Sequence, residues 1–247
     1  MMPIIGICDR NFKNLYNSMS KPYQNIPIVD CLEPLVAIPD YILKIIPHPY
    51  ISLGAPYGDR SPFFLRAGIL AKLKKSQAYL QTLRPHWQIA VFDAYRPIPV
   101  QQFMVDYSFI QLAESRELEV NALSEVEKNL LMEEVIKFWA VPSHDPKTPP
   151  PHSTGAAIDV TLYNSELLEV NMGSPVDEIS DRSFPDYFTT FRNEQAVNFN
   201  RDRQLLNEVM THSGFQRHPN EWWHFSYGDQ LWAWTSQEKS AIYGAVG

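Results

Sequence analysis

The stretch PPPHSTGAAIDVTLY, Pro149 to Tyr163, decides how the chain is read. A turn leading into a strand needs only the glycine and the apolar alternation. It does not need His152, and it gives no reason for Asp159 to sit between Ile158 and Val160. A carboxylate among apolar neighbours is costly unless a positive group pairs with it. In an extended chain Ala157, Asp159 and Thr161 share one face, with Ile158, Val160 and Leu162 towards the core. Gly155 permits the tight turn that could bring His152 back towards Asp159. Two ligands close in sequence and a third from far away commonly build a catalytic zinc site, with a fourth position left for water. The spacing alone fits a solvated histidine and a capping aspartate equally well.

A distant third ligand is available in EWWHFSY, Glu221 to Tyr227, where His224 lies in an aromatic strand. Residues i and i+3 point to opposite faces of a regular strand. Glu221 therefore either precedes the strand in a loop or is re-aimed by a bulge. Both arrangements let its carboxylate reach a water held by a metal that His224 binds, and take the proton of that water. A core histidine beside a surface glutamate is the plain alternative. Arg96, in FDAYRP, ends a strand and could hold a carboxylate or an oxyanion; an ordinary salt bridge fits it as well.

The chain of 247 residues, 45% hydrophobic and 13% aromatic, suits one large globular domain or two small ones. Its net charge of −7 argues against a nucleic-acid partner, which a basic patch would mark. Two cysteines, Cys8 and Cys31, make no disulfide framework and no thiolate zinc cluster; free structural thiols are expected. No run reaches the roughly 18 apolar residues of a membrane helix, and the N-terminus lacks the pattern of an export signal. A cytoplasmic protein without a membrane partner is expected.

Residues 1 to about 50 read as extended segments broken by proline. The spacing predicts a helix from Ser61 and Pro62 through Leu83, a strand over Trp87 to Tyr95, and a helix after Pro99. Ser124 and Glu127 form a capping box for another helix. A strand follows in GAAIDVTLY, then a polar loop to about Asn198 and a helix near NRDRQLLNEVMTHSGF, stopped by Gly214. NEWWHFSY reads as a last strand. Mixed order without regular βαβ alternation implies an α+β fold.

Taken together, the segments resemble a known family. HSTGAAIDVTL is similar to the HxxGxAxD segment of the zinc D-alanyl-D-alanine peptidases, EWWHF to their ExxH segment, and FDAYRP to their DxYRP segment. MGSPVDE (172–178) and NRDRQLLNEVMTHSGF resemble the D-alanyl-D-alanine dipeptidase (VanX-like) branch. The likeness covers roughly residues 50 to 227, with five motifs in order. It implies one domain at residues 50–247, a small antiparallel sheet flanked by helices, with residues 1–49 as an extended segment packed on it. It implies one Zn²⁺ per chain on His152, Asp159 and His224, Glu221 as catalytic base and Arg96 as transition-state stabiliser. It implies Asp177 as the receptor of a substrate ammonium, and Tyr50 as a substrate contact. The activity implied is hydrolysis of a small dipeptide, D-alanyl-D-alanine, linked to cell-wall peptide turnover; homo-oligomerisation stays open.

The chain also departs from the pattern. The family's serine two residues before the first zinc histidine is Pro150 here, with Ser153 and Ser143 as the nearby hydroxyls, and its Y-x-T-x-x-N-F segment is reduced to YISLGAPY. Two rivals remain: a D,D-carboxypeptidase acting on peptidoglycan precursors, and a zinc-binding module without catalysis. Asp177 and the lack of an export pattern speak against the first. Glu221 and Arg96, which zinc binding alone does not need, speak against the second.

Overall fold

The computed structural model describes residues 21–246; Cys8 and the start of the proline-broken run lie outside them. In chain order the elements are β1 (Leu35–Ala37), α1 (Pro49–Ser52), β2 (Phe64–Arg66), α2 (Ala67–Leu83), β3 (Gln88–Asp93) and α3 (Ile98–Ser115). They continue with α4 (Glu125–Phe138), β4 (Ala157–Tyr163), α5 (Glu194–His212), β5 (Gln216–Arg217), β6 (His224–Ser226) and α6 (Gln230–Thr235). The order is α+β, with two small antiparallel sheets. One pairs β1 with β2; the other runs β3-β4-β6-β5.

Several helix ends follow from their caps. The Ser124 hydroxyl accepts from the Glu127 amide while the Glu127 carboxylate accepts from the Ser124 amide, closing the expected capping box of α4. Gly214 stands just past α5 at φ +91°, where a residue with a Cβ would be strained. Two starts differ from expectation. The Ser61–Pro62 signal does not open α2: Phe64–Arg66 is drawn into pairing with Leu35–Ala37, and the helix begins only at Ala67. Helix α5 begins before Asn198, because the Asn193 side chain accepts from the Ala196 amide and caps it. The strand expected in NEWWHFSY is short, and α6 follows it, capped by Asp229.

The larger core lies between the four-stranded sheet and helices α2 and α5. Ile158, Val160 and Leu162 of β4 meet Ile89 and Val91 of β3, Leu70, Leu73 and Leu80 of α2, and Leu206 and Val209 of α5. Each such fully buried side chain contributes roughly 1.5–3 kcal/mol. The second cluster joins α3 and α4 through Val100, Val105, Phe109, Met132 and Val135, and includes Tyr50 and Trp139. Strand β4 lies inside its sheet and is buried at every position but Tyr163, so the side-chain face that carries Asp159 is covered as well. Among the described residues no helix is long and apolar enough to cross a membrane. Cys31 is exposed and free, not a buried thiol.

Candidate metal centre and active site

Sheet register places the first residues of the site. Asp159 on β4 pairs with His224 on β6 and, on its other side, with Asp93 on β3. The β3–β4 register slips by one residue between Val91 and Asp93, so Phe92 is an extra residue in β3. A bulge of this kind re-aims the side chains after it. Here it sets Asp93 opposite Asp159 and sends Arg96 across the gap. His152 arrives from a 3₁₀ turn, Pro151–Thr154, closed by Gly155 at φ +70°. A Cβ at Gly155 would stand 2.3 Å from Leu35 Cδ2, so glycine is required there.

Three potential ligand groups meet at one point. His152 Nε2 lies 3.1 Å from His224 Nδ1 and 3.2 Å from Asp159 Oδ2, and His224 Nδ1 lies 3.1 Å from Asp159 Oδ1. All three residues are buried. The rings are oriented from behind. His152 Nδ1 is 2.7 Å from the Ala94 carbonyl, which can only accept, so Nδ1 carries the proton and the Nε2 lone pair faces inward. His224 Nε2 lies 3.2 Å from Ser226 Oγ, leaving Nδ1 for the cluster. Asp159 Oδ1 makes no hydrogen bond although it is buried. Burial raises the Asp159 carboxyl, yet His152 and His224 hold it well below the usual range. Two ring nitrogens and a carboxylate converging at one point fit a cation. Their separations match the roughly 3.3 Å edge of a tetrahedron with bonds of about 2.0 Å, the size zinc prefers.

Glu221 precedes β6 in the loop just before the Trp222–Trp223 bend, the first of the two arrangements open from sequence. Its carboxylate is buried, with Oε2 3.7 Å from His224 Nδ1 and Oε1 3.4 Å from His218 Nδ1. Burial, then the charges of Asp159 and Asp177, push its carboxyl well above the usual range. Arg96 is buried and makes four hydrogen bonds. Nε donates to Asp93 Oδ2 at 2.9 Å, Nη1 to Gln101 Oε1 at 3.1 Å, and Nη2 to Tyr50 Oη and Asp159 Oδ2, both at 3.1 Å. One of its five N–H groups remains for a ligand. The guanidinium also lies 4.9 Å from the Trp139 ring centroid, a cation–π contact.

Asp177, at φ +65°, accepts a 2.6 Å hydrogen bond from Tyr50 Oη. Burial and the Asp159 charge push its carboxyl up to about 7, against the pull of Arg96. The loop that carries it is stapled by Arg203, whose side chain donates to the carbonyls of Met172, Phe184 and Arg182 and to Ser174 Oγ. His152, Asp159, His224, Glu221, Arg96 and Asp177 all line one cleft. Tyr50 reaches the site through its hydroxyl and through its ring, whose centroid lies 5.0 Å from the Arg96 guanidinium, and it also lines a neighbouring groove.

Sequence patterns alone did not single out Asp93, Gln101, Trp139, His218 or Lys21. DxYRP contains Asp93, so that motif could have flagged it; the others carry no local signal. Neither hydroxyl near Pro150 lines the cleft: Ser153 Oγ donates to the Pro150 carbonyl at 2.7 Å, and Ser143 Oγ bonds to Thr148 Oγ1 at 2.9 Å.

The chain is similar to several known proteins. Residues 43–241 match the Peptidase_M15 family model, described as D-ala-D-ala dipeptidase. A D-alanyl-D-alanine dipeptidase of Synechocystis sp. is 45% identical over 244 residues, 94% of this chain and 99% of that one. Counterparts of the same name from Enterococcus faecium and Escherichia coli are each 38% identical, over 80 and 74 residues; these cover 32% and 30% of this chain and 37% and 36% of theirs. A solved LdcB LD-carboxypeptidase aligns with 83% of this chain and 73% of its own, at 16% identity and a TM-score of 0.43. With four-fifths of its length under the family model and a full-length relative at this identity, the chain belongs to the peptidase M15 family of D-Ala-D-Ala dipeptidases.

Proposed function

We propose that this protein hydrolyses D-alanyl-D-alanine to two D-alanines with one zinc ion per chain, in cell-wall peptide turnover. The observation that carries the reading is the meeting of His152 Nε2, His224 Nδ1 and the Asp159 carboxylate, with Glu221 and Arg96 on the same cleft and Asp177 on its wall. Zinc held by these three groups would supply Lewis acidity to the scissile carbonyl and to a water. Glu221 takes the proton of the attacking water at its carboxylate and returns it to the leaving nitrogen. Its raised affinity for protons suits that exchange. Arg96, held rigid by Asp93 and Gln101, offers its remaining N–H to the developing oxyanion. Asp177 receives the substrate ammonium, and the Tyr50 phenol holds the Asp177 carboxylate on the substrate side. Burial of these groups excludes bulk water and strengthens each contact.

Of the expected segment 1–49, residues 21–49 belong to the proposal as an extended segment packed on the 50–247 domain, supported by the pairing of β1 with β2, and residues 1–20 lie outside the described ones. A cytoplasmic location belongs to it too, and cell fractionation reads that directly. The deciding assay sets zinc-loaded protein against D,D-, L,D- and L,L-dipeptides and a blocked tripeptide. Release of D-alanine from D-Ala-D-Ala, with L,L-dipeptides left intact, is expected. No release from any D,D-dipeptide overturns the proposal.

A further inference from the structure

We propose that Lys21 is a specificity residue that binds the carboxylate of the dipeptide; this rests on the dipeptidase reading above. A free dipeptide carries an ammonium at one end and a carboxylate at the other. Asp177 answers the first. The second needs a cation or several donors, because a carboxylate taken from water without a partner is costly. Arg96 is largely committed to protein acceptors, and Pro151 on the cleft wall has no N–H to give.

Lys21 meets the need. It lines the cleft and is half-buried. Its ammonium donates to the Ile136 carbonyl at 2.7 Å, which leaves two of its three N–H groups for a ligand. Lys21 and Glu221 line the same cleft. Asp177 lines that cleft too, with its carboxylate held by the Tyr50 hydroxyl at 2.6 Å. The cleft thus holds an acceptor, Asp177, and a cation, Lys21, together with the metal-binding groups. A cation and an anionic acceptor on one cleft complement a zwitterion.

The position of Lys21 is built. The turn that follows it, Pro22–Asn25, is clamped by Gln230, whose Nε2 lies 3.1 Å from the Gln24 carbonyl and 2.7 Å from that of Ile26. Beyond the turn, the Val29 amide donates to the Ala241 carbonyl at 2.8 Å. Lys21 precedes the stretch that matches the family model, which begins at residue 43. The N-terminal segment therefore does more than cover the domain: it carries a charge to the cleft. Lys137 also reaches the cleft, but from an exposed position at the rim.

The test is binding to full-length Glu221→Gln protein, which keeps the cleft but removes the base. Calorimetry compares D-Ala-D-Ala with D-Ala-D-Ala-amide on that parent and on the same protein carrying Lys21→Met, Lys21→Arg or Lys137→Met. Losing one charge-assisted hydrogen bond should weaken the free dipeptide about 10- to 100-fold in Lys21→Met. The amide should change less than about threefold, as it never offered that charge. Lys21→Arg should recover most of the affinity, and Lys137→Met should stay near the parent. Equal weakening of both compounds, or no change in either, overturns the assignment. A parent that binds neither compound overturns the dipeptidase reading itself. Unfolding curves of each variant identify any loss that comes from the fold.

Discussion

Asp159 on β4 stands directly across the sheet from His224 on β6, with Oδ1 and Nδ1 3.1 Å apart. Two of the three groups proposed to hold the metal are thus cross-strand partners, and the sheet sets their spacing. The third, His152, is bound to the same strand by the short Gly155 turn.

Metal content tests that cluster. The purified protein should hold about one zinc, by the three-ligand site. His224→Ala should lose most of it, and a chelator should lower the unfolding temperature of the parent but not of the variant. Elemental analysis and thermal unfolding check this. Full zinc in the variant would place the site elsewhere.

Glu221→Gln should retain zinc and fold while losing turnover by about 10²–10⁴-fold, the range for a general base. A glutamate with only a structural part would lower stability and leave the rate nearly intact. Steady-state kinetics at matched zinc content separates the two.

Asp177 predicts both selectivity and a pH dependence. N-acetyl-D-Ala-D-Ala lacks the ammonium and leaves the carboxylate unpaired, so its kcat/KM should fall roughly 10²-fold below that of the free dipeptide, for a loss of about 3 kcal/mol. Asp177→Asn should narrow that gap. The carboxyl is pushed up to about 7 by burial and Asp159. Below that value it is neutral and cannot pair with an ammonium, so dipeptide affinity of the metal-free protein should fall as pH drops through about 7. Metal at Asp159 offsets the charge that raises Asp177, and should move this midpoint lower. Calorimetric binding against pH, with Asp177→Asn as the flat control, reads the sign. Equal cleavage of free and acetylated substrates would favour a D,D-carboxypeptidase.

Arg203 is fully buried, and its side chain holds three carbonyls and one hydroxyl of the loop around Asp177. Arg203→Met leaves those acceptors without a donor, at about 1–3 kcal/mol for each that finds no water. The variant should unfold at lower temperature, keep its zinc, and show a raised KM for D-Ala-D-Ala. An unchanged KM would mean that the loop is held by other contacts.

Ser124→Ala removes the α4 cap on the protein surface. The unfolding temperature should fall by about 2–4 °C, with kcat/KM unaltered. A larger loss would assign Ser124 a part beyond capping.

What the sequence determined by itself was local. The Ser124–Glu127 box, the stop at Gly214 and the run from His152 to Asp159 each act within a few residues, through backbone donors, a left-handed φ or side-chain alternation. Reading motifs across the chain also brought His152, Asp159, His224, Glu221, Arg96 and Asp177 together as a set, because the order of motifs survives folding. Tertiary structure decided the rest. Ser61 lost its helix start to the pairing of β2 with β1, since a strand partner far along the chain outweighs a local cap. Asp93 faces Asp159 only because Phe92 is bulged out of register, and no periodicity announces a one-residue slip. Lys21, His218 and Gln101 reach the cleft from three separate segments. Their nearness to Glu221 and Arg96 comes from packing, which spacing along the chain does not encode.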